Sequence, residues 1–314
     1  MAIVWYTYTG ANGEVIPSNA THITVHFSVT VILAQAFYGH PNIIEVICHQ
    51  NVEVIEGMAF AMCRRLRRVV IPGVKIVDYS AFLYCEALAD VEECGMLEII
   101  GGDAFGQCRS LRSIDLPSAI IVDGGAFSSC FALTDVKFGI NLEGFGVRAF
   151  VHCESLERVT IPLKDGLVVT DGIFLGCTNL KHIDFVDEVP LHETIAALLL
   201  EDWRNDMNEE IDSINRILPN ADAGRWDDDW FNGGKARAIR GWIRSILEKI
   251  IHYQAEHQHV LNEAATTLQH ALPRDILMNN VLPFLELPPH AFEVADDEDE
   301  GFVSENSSTL AEDD

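Results

Sequence analysis

The sequence of 314 residues has few basic residues and no long apolar run. Its 21 lysine and arginine residues stand against 48 acidic residues, which gives a formal net charge of −27. Nucleic acids and anionic membranes both require a cationic binding surface, so neither is expected as the main partner. No stretch approaches the roughly 20 apolar residues of a membrane span, and the first residues lack the basic start and apolar run of a signal peptide. We therefore expect a cytoplasmic protein, with the nucleus as an alternative, whose eight cysteines are reduced thiols.

The sequence also lacks the usual signatures of catalysis. Nothing in it resembles a nucleophile elbow, a phosphate loop or a convergent pair of carboxylates. His252, Glu256 and His259 share a helical face with a spacing that suits a divalent metal. No other ligand cluster accompanies them, and a solvated polar face is the preferred interpretation. The sequence predicts no enzyme, no cofactor and no metal.

What the sequence does contain is an internal repeat of about 23 residues. One phenylalanine marks each of seven copies, at Phe37, Phe60, Phe82, Phe105, Phe127, Phe150 and Phe174. Three residues later the first copy has His40. The other six copies have a cysteine there, at Cys63, Cys85, Cys108, Cys130, Cys153 and Cys177. Leucine or isoleucine follows six residues after each phenylalanine, and valine or isoleucine follows nine residues after it. Seven copies in phase predict a solenoid.

Each copy is interpreted as a short strand, such as "LRRVVIP", whose alternating apolar residues point into the stack. A second short extended piece follows, and a tight turn then delivers Ala-Phe to the interior. No copy can bury its apolar face alone, so stacked copies must share one continuous core. In the third copy Glu93 and Cys94 replace the apolar residue and the proline at the end of the strand. We expect a distorted turn at that point.

The pattern Ala-Phe-x-x-Cys-x-x-Leu-x-x-Val/Ile-x-Ile-Pro resembles the BspA-like, or Treponema pallidum type, class of leucine-rich repeats. The resemblance covers residues 15–186. The remainder, with "WIRSILEKIIHYQAEH", also resembles the helical region that follows such repeats in a group of diatom proteins, and this second resemblance brings no mechanism with it. What the family resemblance implies is a curved scaffold that binds other macromolecules.

The repeated cysteines are interpreted as structural. Six of them occupy one offset, so stacking sets them in a row with neighbours about 5 Å apart. A row does not converge on a metal ion, and six equivalent copies argue against one activated nucleophile. Together with the phenylalanines from Phe60 to Phe174 they form a predicted structural ladder. Cys48 and Cys94 lie outside the row, and we expect these two thiols to be accessible.

The outward positions of the predicted strands are the eighth and tenth residues after each phenylalanine. They form a mixed, acid-leaning stripe that is our candidate partner-binding face, because solenoids commonly bind along such a surface. The alternative is a sheet face that is merely solvated. The candidate residues are Glu45, Arg68, Asp90, Glu92, Ser113, Asp115, Asp135, Lys137, Arg158, Thr160, His182 and Asp184. Ile47 and Val70 complete the pattern as outward apolar residues.

Two clusters of basic residues stand out on this acidic chain. The stretch "CRRLRRVVIP" holds four arginines, and we favour pairing with Asp90 and Glu92 of the next copy over binding an acidic partner. In the helical region a basic amphipathic run combines Trp242 with Lys235, Arg237, Arg240, Arg244 and Lys249. Such a run is typical of helices that meet a membrane or a calmodulin-like partner. Intramolecular screening or plain solvation is the preferred interpretation.

Two features lie at the C-terminal end. The segment 272–288, "LPRDILMNNVLPFLELP", resembles the opening helix of an F-box, which binds the Skp1 adaptor of a ubiquitin ligase. Residues 293–314 carry ten acids and no base, and such a composition predicts a disordered acidic tail.

The predicted fold class is α+β, with a leucine-rich-repeat solenoid of seven β repeats followed by a helical region. The expected organisation is capping strands in residues 1–35, repeats in 36–187, a helical domain in 188–292 and the tail in 293–314. The predicted function is a non-catalytic scaffold that binds a protein partner. The sequence leaves the oligomeric state open, with a monomer as one option. The alternative is a ubiquitin-ligase substrate receptor that uses the partial F-box-like segment.

Overall fold

The computed structural model describes residues 2–186, 191–222 and 234–268. The described chain forms sixteen short strands and then three α-helices. The strands that form the front of the solenoid are β1 (Trp5–Tyr8), β2 (His22–Val25), β4 (Glu45–Ile47), β6 (Arg68–Val70), β8 (Asp90–Glu92), β10 (Ser113–Leu116), β12 (Asp135–Phe138), β14 (Arg158–Ile161) and β16 (His182–Phe185). The strands that form its back are β3 (Val31–Ile32), β5 (Val54–Ile55), β7 (Ile76–Val77), β9 (Ile99–Ile100), β11 (Ile121–Val122), β13 (Gly144–Phe145) and β15 (Val168–Val169).

Every described strand pair is parallel, because each repeat returns to the same place one layer further along the stack. The back strands make one sheet of seven strands. The front strands make a five-stranded sheet from β1 to β8 and a four-stranded sheet from β10 to β16. The predicted α+β solenoid is therefore confirmed over the described residues.

The front ladder is interrupted at the predicted distortion in the third copy. Glu93 directly follows β8 and has a backbone φ of 56°, in the left-handed region that most residues avoid. The chain turns away there instead of continuing as a strand, and the front sheet divides between β8 and β10. Glu93 and Cys94, which stand where other copies have an apolar residue and a proline, account for this break.

The seven repeat phenylalanines form a continuous stack along the core. Successive rings have centroids 4.7 to 5.7 Å apart and planes within 15° of parallel. At the N-terminal end Tyr8 lies against Phe37, with ring centroids 5.0 Å apart. The backbone beside the stack is also paired, since the N–H of Phe60 donates to the carbonyl of Ala81 in the next copy at 2.8 Å. Each layer thus contributes both a ring and a hydrogen bond to its neighbour.

The helices α1 (Leu191–Ala197), α2 (Glu201–Ile217) and α3 (Gly234–Leu268) cover the C-terminal end of the stack. Asn215 of α2 accepts a hydrogen bond from the N–H of Ile183 in β16 at 3.2 Å, so the last front strand is not left as an open edge. Trp242 of α3 stacks on Phe185, with ring centroids 4.4 Å apart. Lys235 is buried, and its ammonium donates to the carbonyls of Leu180 and Leu218. The helical region is therefore joined directly to the last repeat.

Candidate partner-binding face

The candidate face consists of two rows of side chains that run across the front sheets. In the row at the eighth position, Glu45 pairs in register with Arg68 and Arg68 with Asp90, while Asp135 pairs with Arg158. In the row at the tenth position, Asp115 pairs in register with Lys137 and Lys137 with Thr160. The strand register thus brings residues from distant copies side by side. The placement of Ser113, His182 and Asp184 follows the same two rows.

One residue that was predicted to point outward does not do so. Val70 is buried, although it occupies the tenth position of its copy. Ile47, its neighbour in register, is half-buried. This end of the face is therefore less accessible than the alternating pattern predicts.

Two arginines form ion pairs with acidic residues of neighbouring copies on the face. The guanidinium of Arg68 is bidentate on Glu92, at 2.7 and 2.5 Å, and also binds Glu45. Arg158 binds Asp184 and lies 3.9 Å from Asp135. The hydrogen bonds from Arg68 lower the pKa of the Glu92 carboxyl below its ordinary value. These arginines compensate their acidic neighbours within the molecule.

The predicted internal pairing of the arginine-rich stretch is correct only in part. Arg68 pairs with Glu92, as expected, but its second acid is Glu45 of the preceding copy and not Asp90. Arg64 lies 3.8 Å from Glu86. Arg65 donates to the side chain of Asn42 at 3.1 Å.

A shallow depression of 610 Å³ lies at the C-terminal part of the face, over the four-stranded front sheet. Asp115 and Lys137 sit side by side in it, and neither has an ion pair among the residues that the structure describes. Phe185 and Val186, which are partly exposed, form an apolar wall beside these charges, whereas Phe138 is only 3% exposed and lies in the core. The depression is lined by Asp115, Pro117, Asp135, Lys137, Phe138, Gly139, Arg158, Thr160, Asp184, Phe185 and Val186.

Sequence reasoning found the charged residues of this depression but missed its apolar wall. Phe138 and Phe185 stand eleven residues after their repeat phenylalanines, where other copies have a smaller residue. Gly139 and Val186 follow them in place of the proline that ends three other copies. Bulky residues at the strand end, with no proline after them, were the available signal.

The six cysteines of the ladder are all buried and all make the same hydrogen bond. Each thiol donates to the carbonyl of the phenylalanine in the preceding copy, at 3.0 to 3.3 Å. In the first copy His40 takes this place, with its Nε2 atom 3.0 Å from the carbonyl of Pro17. Burial raises the pKa of Cys63 and of Cys130 to about 12. At neutral pH the thiols of Cys63 and Cys130 are protonated and enclosed, so they are poor nucleophiles.

The prediction that Cys48 and Cys94 are accessible is wrong. Cys48 is 4% exposed and Cys94 is 5% exposed. The thiol of Cys94 donates to the carbonyl of Asp115 in the next copy at 3.2 Å. Burial raises the pKa of Cys48 to about 12 and that of Cys94 to about 11. The distorted turn at Glu93 directs Cys94 inward rather than to solvent.

The polar features of the helical region are engaged within the molecule. His259 lies 3.5 Å from Glu263, one turn further along α3. Within the described ranges no group of three or more His, Cys, Asp or Glu residues is placed to hold a metal ion. Arg240 binds Asp171 and the carbonyl of Val169 in β15. Lys249 binds Asp206 at 2.8 Å and Glu210 of α2 at 3.0 Å.

These contacts favour intramolecular screening over a free basic helix. None of the described helices is long and apolar enough to cross a membrane. The F-box-like segment 272–288 and the acidic tail 293–314 lie outside the described residues.

Parallel strands on the front and the back of a stack, with a phenylalanine in every layer and a leucine or isoleucine six residues after it, define a leucine-rich-repeat solenoid. A family model described as the BspA type leucine-rich repeat region matches six copies, over residues 17–122 and 98–195. The matched residues make up more than half of the chain, so the chain belongs to the BspA-type leucine-rich repeat family.

Comparison with curated protein sequences finds no match. Among solved structures, the chain is similar to the leucine-rich repeat protein of T. pallidum, with 23% identity and a TM-score of 0.40. That match covers 58% of this chain and 69% of the other. A leucine-rich repeat protein of Bacteroides ovatus matches with 21% identity and a TM-score of 0.40, over 55% of this chain and 53% of the other.

Proposed function

We propose that the chain is a non-catalytic scaffold that binds a protein partner along its front face. Solenoids present extended surfaces of this kind to other macromolecules. The observation that carries the proposal is the depression over the four-stranded front sheet. It combines an apolar wall with Asp115 and Lys137, two charged side chains that have no ion pair among the described residues.

The chemistry of the depression favours an extended segment of a protein over a compact small molecule. The depression is shallow and follows several adjacent strands, so a ligand must lie across the layers. Asp115 and Lys137 offer an acceptor and a donor side by side, and Phe185 adds an apolar contact. A partner segment with alternating charge and at least one apolar side chain would satisfy all three groups.

Site-directed photocrosslinking tests this proposal. A photoreactive residue is placed at Lys137 on the front face and, as a matched control, at Lys75, a partly exposed lysine beside the back sheet. Both proteins are irradiated in an extract of the native cell. We expect a discrete protein adduct from position 137 that is absent from position 75. Equal adducts from both positions, or adducts from position 75 alone, would contradict binding at the front face.

The alternative function is that of a ubiquitin-ligase substrate receptor, and it is supported by the sequence of residues 272–288 alone. A pull-down with Skp1 separates the two. Clear binding that is abolished by changing Leu282 and Phe284 would replace the simple scaffold. We further propose that the protein is cytoplasmic, which fluorescence microscopy of the tagged chain in its native cell tests.

A further inference from the structure

A cluster of exposed arginines lies on one side of the solenoid, where the chain approaches the front strands. Its members stand four, five or seven residues after the repeat phenylalanine, in the second and fourth copies only. They are Arg64, Arg65, Arg67, Arg109 and Arg112, and all five are exposed. The chain as a whole has a net charge of −27. The arginine cluster is therefore a local excess of positive charge on an acidic protein.

A trough separates the arginines of the second copy from those of the fourth. The third copy lies between them and has Ala87 and Ala89 at two of the same positions, with Glu86 at the other. The N–H of Ala89 donates to the carbonyl of Arg67 at 2.9 Å. On the other side, the hydroxyl of Ser110 donates to the carbonyl of Glu86 at 2.8 Å. Adjacent layers are about 4.8 Å apart, so long side chains about 10 Å apart stand on both sides of short ones.

The charge of the arginine cluster is only partly compensated within the molecule. Glu86 is the one acid at these positions in the second, third and fourth copies, and its carboxylate lies 3.8 Å from Arg64. Arg67 and Arg112 have no ion pair and no side-chain hydrogen bond among the residues that the structure describes. These two guanidinium groups stand at the same position of the repeat, two layers apart, and are open to an external anion.

The backbone is also open at this point of the trough. In the other copies, the N–H seven residues after the repeat phenylalanine donates to the carbonyl at the same position of the preceding copy, as Thr134 does to Arg112 at 2.8 Å. Within the described chain the carbonyl of Ala89 accepts no such bond, because the front sheet divides between β8 and β10. The N–H of Arg112 is left without a backbone acceptor there. An anion in the trough therefore meets a main-chain donor as well as two guanidinium groups.

We propose that the trough binds an acidic segment of another protein, in an extended conformation along the third copy. Carboxylates suit the site because each guanidinium presents planar pairs of N–H donors that match a carboxylate. The trough follows the third copy from Glu86 to Ala89, and four extended residues span about 13 Å. Acidic side chains of the segment bind Arg67 on one wall and Arg112 on the other.

The surroundings of the trough favour a short acidic segment over a nucleic acid. Exposed acids border it on the front face, at Asp90 and Glu92, and others lie beyond it in the sixth copy, at Glu154 and Glu157. A nucleic acid carries a phosphate at every nucleotide and extends past a site of this length, so its charges would lie against these acids. A protein segment can place acidic residues in the trough and neutral residues outside it.

Fluorescence anisotropy of labelled peptides with the full chain tests the proposal. The probe is a peptide of about eight glutamates, twice the length of the trough, and the control peptide has the same number of glutamines. We expect saturable binding of the glutamate peptide at low ionic strength, weaker binding as salt is added, and no binding of the glutamine peptide. The double change Arg67→Ala and Arg112→Ala should weaken binding of the glutamate peptide at least about tenfold.

The matched control removes the same charge from elsewhere on the solenoid. It is the double change Lys75→Ala and Lys181→Ala, in which Lys181 has the same position in the seventh copy as Arg67 has in the second. We expect it to weaken binding less than about twofold. Both variants should keep the circular dichroism spectrum of the unchanged chain, because substitutions of surface side chains cost little stability.

Three results would overturn the proposal: no saturable binding of the glutamate peptide beyond that of the glutamine peptide, equal weakening by the two double changes, and tighter binding of a labelled oligothymidylate of the same length. The last result would indicate a nucleic acid as the occupant. None of the substituted residues lines the depression on the front face, so this proposal and the front-face proposal can fail separately.

Discussion

The substitution Phe105→Ala tests whether the phenylalanine stack is the main source of stability in the solenoid. Phe105 is fully buried, and its ring lies between Phe82 and Phe127 with centroids 5.2 and 5.4 Å away. Removing a buried phenylalanine costs about 3 to 5 kcal/mol, and each aromatic contact adds about 0.5 to 1.5 kcal/mol beyond the buried area. Because Phe105 has a ring on both sides, we expect a loss of about 4 to 5 kcal/mol.

Thermal unfolding followed by circular dichroism measures this loss. The midpoint temperature of unfolding should fall by about 10 °C or more for a domain of this size. Phe27→Ala is the matched control, because Phe27 is 71% exposed and should change stability by less than about 0.5 kcal/mol. If the two substitutions lower the transition equally, the stack does not have the role that its geometry indicates.

Three further predictions concern the core and the junction with the helices. Lys235→Met should cost about 2 kcal/mol in chemical denaturation, because two buried carbonyls lose their donor. Burial lowers the pKa of the Lys235 ammonium below its ordinary 10.5. The unfolded chain therefore binds this proton more tightly than the folded chain, and the free energy of unfolding rises with pH up to about 10.5. The methionine variant should lack this rise. In a colorimetric thiol assay none of the eight cysteines should react in the native chain at neutral pH and all eight should react in denaturant, and one rapidly reacting native thiol would contradict the structural interpretation. Gly139→Ala should destabilise by about 1 to 3 kcal/mol because its Cβ would lie 1.9 Å from the Pro117 carbonyl, whereas Gly241→Ala, in open space on α3, should stabilise by about 0.5 to 1 kcal/mol.

The solenoid could be predicted because the same residue types recur at the same offsets in seven copies of the repeat. A ring at Phe105 must lie above the ring at Phe82, so every copy needs phenylalanine at that offset. The cysteine at the next offset donates to the carbonyl of the preceding copy, which explains its recurrence. Repetition turns a weak local preference into a clear pattern.

Features that occur only once could not be predicted in the same way. Cys94 belongs to a turn that occurs in one copy only. Its burial depends on the positive backbone φ of Glu93, and the other copies give no repeated pattern from which that angle could be predicted. Arg68 can reach acids in both neighbouring layers, and its choice of Glu92 and Glu45 over Asp90 depends on side-chain rotamers.

The junction with the helices was also beyond the sequence pattern. The sequence pattern places Lys235 among the basic residues of the helix, which suggests a solvated side chain. It is buried instead, because no further repeat follows the last one and the ammonium of Lys235 donates to the carbonyl of Leu180. The depression on the front face arises from side chains of four different copies, which come together only through the strand register.

The measurement that tests the front-face account most directly is the affinity of the crosslinked partner for two charge-reversed variants. Asp115→Lys alters the depression, and Glu53→Lys alters an exposed acid on the back of the solenoid. Titration calorimetry should show a loss of at least about tenfold, or about 1.4 kcal/mol, for the first variant and less than about twofold for the second. Equal affinities of the two variants, with both folded, would contradict the claim that this protein binds its partner along the front face.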